Sequence, residues 1–123
     1  MTNQRLILPV TLYAFGNRHQ PRSPRPNKDM LVEGDRVKPT YPPTGASTFA
    51  DIQQAPLTGH YYQLAKGTEL PEEIGIIADG RDVGGTHSPT HYTLYPTKEM
   101  SFVAFVDAFL QCGWVYAGKK EVN

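Results

Sequence analysis

The sequence predicts a small α+β domain with twisted, mainly antiparallel sheets and few helices, and three observations point there. Short runs rich in β-branched and aromatic residues recur along the chain between turn-forming residues. Only one segment carries a helical stripe of apolar side chains. Eleven glycines and eleven prolines in 123 residues demand many turns and irregular stretches. That length suits a single domain over residues 1–123 with a real but modest core.

The elements follow in order. Arg5–Phe15 (RLILPVTLYAF) is β-branched and aromatic and reads as a strand. Pro9 cannot donate to a ladder, so the strand lies at an edge or breaks there. His19–Asn27 holds Pro21, Pro24 and Pro26, has no amphipathic period, and reads as an exposed extended loop. Tyr41–Gly45 (YPPTG) is a turn leading into Ala46–Phe49, and Gly59–Ala65 reads as a strand. Ile74, Ile76 and Ile77 end a Pro- and Gly-interrupted stretch as a short buried strand, and Asp79–Gly80 follows as a turn.

His91–Tyr95 (HYTLY) alternates and is rich in β-formers, and Pro96 stops it. Thr97 or Ser101 can cap the next element. Phe102, Phe105, Val106, Phe109 and Leu110 fall at i, i+3, i+4, i+7 and i+8, which predicts a helix ended by Gly113. Trp114–Tyr116 can form a last short strand. The sum is five or six short strands and one helix, with no internal repeat.

Twelve basic residues balance twelve acidic ones, so no global field draws in nucleic acid or a membrane. The charge is uneven locally. From Met1 to Lys28 the charges are Arg5, Arg18, Arg22, Arg25 and Lys28, with no acid among them. Glu69, Glu72, Glu73, Asp79 and Asp82 form the acidic counterpart. These read either as two oppositely charged solvated faces or as an anion-binding N-terminal half. Cys112 is the single cysteine, so no internal disulfide forms, and its apolar surroundings suit a small buried residue. No window has the long apolar run of a transmembrane helix, and Met1–Arg5 does not open a signal peptide. The expectation is a chain made and folded in a cytoplasm, whose export would need a specialised machine.

Two segments carry candidate chemistry. Asp79–His91 packs three glycines after Asp79, two histidines and several hydroxyls before a strand. Glycines let backbone amides approach a ligand, and the strand fixes where polar groups point. An ordinary solvated loop is the plain alternative. His87 and His91 have Pro89 between them and no obvious third ligand nearby, which weighs against zinc. His91, at a strand start beside this loop, suits a hydrogen bond to a ribose hydroxyl or a backbone group better than a core role. The second segment is Gly45-Ala-Ser-Thr-Phe49. Its hydroxyls can bind a ribose or phosphate, but a helix cap near Phe49 is locally the better reading. Its glycine spacing is not that of a hydrolase elbow, and the chain has no Walker A or GxGxxG loop. Tyr41, Tyr61 and Tyr62 can stack on a flat ring or pack in a core.

Four pieces together carry a resemblance: Leu12-Tyr13, Gly45-Ala-Ser-Thr-Phe49, Asp79-Gly-Arg-Asp82 and Thr90-His-Tyr-Thr-Leu-Tyr-Pro96. In this order, with an apolar helix after the last, the chain resembles the small NAD-dependent cytotoxic effectors delivered by type VI secretion. Their fold is like that of ADP-ribosyltransferase toxins. The resemblance runs discontinuously from Leu12 to Leu110. It implies an NAD site in a cleft between two small sheets, with Ser47 and His91 needed for toxicity. It further implies cofactor contacts from Tyr13, Arg18, Ser47, Thr48, Tyr62 and His91. Arg18 would face the pyrophosphate, Ser47 and Thr48 a ribose hydroxyl, and Tyr62 the nicotinamide ring. A dedicated immunity protein and an acceptor macromolecule are the implied partners.

Two other readings stand beside it. No glutamate sits where most ADP-ribosyltransferases carry a catalytic one, which with the neutral charge suits a non-catalytic nucleotide- or peptide-binding module. Alternatively His87 and His91 act as acid and base on RNA, with the Arg18–Lys28 stretch holding phosphate.

Overall fold

The structure is a computed structural model that describes residues 6–80 and 90–121. Among these described residues eight strands and one α-helix form, in chain order: β1 (Leu12–Gly16), β2 (Arg36–Val37), β3 (Ala46–Phe49), β4 (Gly59–Leu64), β5 (Ile74–Ile77), β6 (His91–Pro96), β7 (Met100–Ser101), α1 (Phe102–Leu110) and β8 (Val115–Lys120). Six strands make one sheet in the order β5-β6-β3-β1-β4-β8, and β2 pairs with β7 in a two-stranded ribbon. Every strand pairing is antiparallel. The expected fold class is therefore the observed one.

The alternation of side chains gives the sheet two unlike faces. Leu12, Ala46, Leu64, Ile74 and Leu94 belong to the larger apolar cluster, which α1 completes. Phe105 and Phe109 of the helix are fully buried in it. The Ser101 hydroxyl caps α1 by accepting from the Ala104 N–H at 3.0 Å, one of the two caps expected. The chain leaves the helix through Gln111, and Gly113 adopts φ 113°, a conformation that favours glycine. Cys112 is buried beside this turn, and burial pushes its thiol up to about 12. The opposite face carries a smaller cluster of Phe15, Phe49 and Ala55, with Tyr61 against it.

Several expectations need correction. Ala46–Phe49 is a strand and caps no helix. The nearest helical turn is a short 3-10 turn at Ile52–Gln54, capped by Asp51. The proline-rich loop is docked rather than free: Pro21 and Pro24 are buried, Gly16 bridges Pro21, and the Arg22 N–H donates to the Phe15 carbonyl at 2.9 Å. The first strand does break at Pro9. Ile7 bridges Glu69, and continuous pairing resumes only at Leu12. The last strand is longer than expected, and the brief β2–β7 ribbon was not foreseen.

Candidate functional site

The neighbouring strands β3 and β6 build the site. Their register sets Ser47 opposite Thr93 and Phe49 opposite His91, so all four side chains share one face. Gly45 makes the entry to β3 this close: a Cβ there would lie 1.8 Å from the Leu94 carbonyl oxygen. On the far side of β6, Ile77 pairs with Thr93. Asp79, two residues on, then comes beside His91, where the Gly80 N–H donates to the His91 carbonyl at 3.2 Å.

Asp79, His91 and Thr93 form a buried polar group, with relative exposures of 5%, 3% and 5%. The Nδ1 of His91 lies 2.6 Å from Oδ1 of Asp79. A carboxylate only accepts, so its partner fixes the hydrogen on Nδ1. The Thr93 hydroxyl donates to the other carboxylate oxygen. Phe49 presents its ring to the imidazole in an edge contact, with centroids 5.4 Å apart. His91 was expected to be less core-like than this. It is a buried residue at the floor of a cleft.

That cleft has loop residues as its other wall. Lys28, Asp29, Pro42, Pro43, Thr44 and Gly45 face Ser47, Asp79, His91 and Thr93 across a cavity of about 380 Å³. This is the size range of small-molecule sites. A second cleft, lined by Phe15, Arg22, Arg25, Phe49 and Leu57 among others, shares Ser47 and Asp29 with the first. Asp29 ties the basic loop down. Its carboxylate accepts from Arg25 Nε at 3.0 Å, from Arg25 Nη2 at 3.1 Å and from the Arg25 backbone N–H at 2.8 Å. Burial pushes the Asp29 carboxyl up. The hydrogen bonds from Arg25, with the charges of Arg25 and Arg22, more than reverse this and hold it below the usual range.

Of the residues singled out from sequence, Ser47 and His91 come together on the cleft face, Ser47 exposed and His91 buried. Tyr13 shares that face, half-buried, in register with Phe49 and with its ring against Tyr61 at 5.9 Å. Arg18 is exposed in the turn after β1 and lines neither cleft. Thr48 and Tyr62 lie on the opposite face. The buried Thr48 hydroxyl donates to the Tyr92 carbonyl at 3.0 Å. Tyr62 is also buried, and its hydroxyl donates to the Asn17 carbonyl at 2.8 Å. The structure therefore does not bring Thr48 or Tyr62 to His91. His87 and the stretch 81–89 lie outside the described residues. Among the described residues no three His, Cys, Asp or Glu side chains gather as a metal site.

Sequence reasoning passed over Asp79 as the partner of His91, Thr93 as the second donor, and Asp29 as the anchor of the basic loop. The signal for the first two was periodicity: His91 and Thr93 are two apart on one strand, and Asp79 is two beyond Ile77.

A six-stranded antiparallel sheet, with one helix on one face and a ligand-sized cleft on the other, defines a small α+β domain built around a single site face. Residues 9–113 match the Tse2 ADP-ribosyltransferase toxin family. The match runs from before β1 to the turn after α1 and takes in Ser47, Asp79 and His91, and the chain belongs to that family. No curated protein and no solved structure gives a significant match.

Proposed function

We propose that the protein is an NAD-dependent cytotoxic effector that either transfers ADP-ribose to an acceptor or hydrolyses NAD. Family membership over most of the chain is the observation that carries this reading. The cleft supports it, because its donors suit a dinucleotide. Ser47 offers an exposed hydroxyl for a ribose, and His91 lies beside it on the same sheet face. Arg22 and Lys28 line the two joined clefts and are better placed than Arg18 for a pyrophosphate. Phe15 and Phe49, unlike Tyr62, line the second cleft, with their rings largely buried against each other.

Breaking the nicotinamide–ribose bond develops positive charge on the ribose, so the site must hold NAD bent and exclude water. In this reading Ser47 holds a ribose hydroxyl, the buried His91 ring lies in the floor beside it, and Asp79 supplies negative charge nearby. Delivery by type VI secretion and restraint by an immunity protein belong to the same proposal. Titrated expression in a bacterium tests it, with growth and cellular NAD followed together. Growth arrest is expected, and it should be lost in Ser47→Ala. Unchanged growth and NAD at full induction contradict the proposal.

A further inference from the structure

Asp79 is buried, and it is bonded on both oxygens, to His91 Nδ1 at 2.6 Å and to the Thr93 hydroxyl. Both donors come from β6, two residues apart, while Asp79 follows β5. The carboxylate therefore reaches across the two strands and binds one edge of the imidazole. A neutral histidine has one donor and one acceptor nitrogen, and the partner of one decides the role of the other. From this geometry we infer that Asp79 is a positioning residue. It holds His91 as the Nδ1–H form, which makes Nε2 the basic, hydrogen-bond-accepting nitrogen. Thr93 in turn fixes the rotation of the carboxylate.

The Nε2 atom is itself enclosed by the protein, so the form of the ring is set within the fold and not by a ligand in the open cleft. The Phe49 edge contact at 5.4 Å holds the ring from the side, and Gly80 N–H to His91 O keeps the two strands in step. An aspartate that orients a histidine in this way makes a large difference elsewhere: in hydrolytic triads its replacement by Asn costs about 10⁴-fold in rate, by favouring the wrong tautomer. A histidine that lines the site without moving a proton should lose less, about 10- to 100-fold, the range for the hydrogen-bonded partners of metal-binding histidines.

The activity arm of this inference rests on the transferase reading; the tautomer arm does not. The test is nitrogen-15 NMR of the His91 ring in the intact protein at neutral pH, beside NAD turnover. The wild type should show hydrogen on Nδ1, and Asp79→Asn should shift the ring toward the Nε2–H form or a mixture. Thr93→Val, close in shape, should do so only in part. Turnover in Asp79→Asn should fall mainly in kcat, about 10- to 100-fold, with a smaller change in KM. An Nε2–H ring in the wild type overturns the assignment, even if Asp79→Asn proves unable to fold. So does an Nδ1–H ring that persists in a folded Asp79→Asn protein. If the wild type turns over no NAD, the transferase reading fails, and the tautomers alone decide the role of Asp79.

Discussion

At the scale of single residues, two carboxylates organise the cleft. Asp79 acts through His91 and Thr93, whereas Asp29 acts through Arg25. The consequence for Asp29 can be signed. Its folded carboxyl titrates below the usual range, held there by Arg25 against the opposing effect of burial. Its contribution to stability is thus fully present above the unfolded value, about 3.9. It is lost as pH falls through the lower folded value. Thermal unfolding of wild type and Asp29→Asn should differ at neutral pH and converge as the pH is lowered below about 4. A gap that stays constant from pH 7 to pH 3 would show that the Arg25 pairing does not govern the loop. The residue scale also shows why Asp79 went unread. Twelve positions separate it from His91, and a turn motif at Asp79–Gly80 was the strongest local feature. Only the β5–β6 register brings the two together.

At the scale of elements, the strands with clear alternation were legible and the one with hydroxyls was not. The strands expected at His91–Tyr95 and Gly59–Ala65 from their β-branched and aromatic residues form as His91–Pro96 and Gly59–Leu64. The helix followed its apolar stripe from Phe102 to Leu110. Ala46–Phe49 looked like a helix cap because Ser47 and Thr48 are good N-cap residues. Its partners, β1 and β6, are distant in sequence, and their ladders outweigh the local preference. The packing gives two tests. Phe105 is fully buried under the sheet, so Phe105→Ala should cost about 3–5 kcal/mol in denaturant unfolding. A loss under about 1 kcal/mol would place the ring outside the core. Gly45→Ala would drive a methyl into the Leu94 carbonyl oxygen. Because this contact is backbone to backbone, neither side can rotate away, and we expect a loss of about 1–3 kcal/mol. Unchanged stability would mean that β3 and β6 are less closely apposed at this end than the structure has them.

At the scale of the whole molecule, the sheet divides the labour: α1 and the larger core close one face, and the other is left for the cleft and the basic loop. A net charge of zero leaves any partner to be recognised through local patches. The strongest is the docked loop, where Arg22 and Lys28 are exposed and Arg25 is already committed to Asp29. An immunity protein that covers the cleft should therefore present acidic groups to this loop. Reversing Arg22 and Lys28 together should slow its association, more at low salt than at high. An association rate indifferent to both changes at low ionic strength would move the interface elsewhere.

The central claim is that the cleft around Ser47 and His91 cleaves the nicotinamide–ribose bond of NAD. Ser47 is the residue to change, because it is exposed and its loss leaves the buried Asp79–His91–Thr93 group intact. The most direct measurement is nicotinamide released from labelled NAD by purified wild type and by Ser47→Ala, with a bacterial lysate supplying acceptors. The account predicts release by the wild type well above that of lysate alone. It also predicts a fall of about tenfold or more in Ser47→Ala, with no change in melting temperature. Equal release by wild type, Ser47→Ala and lysate alone would contradict it.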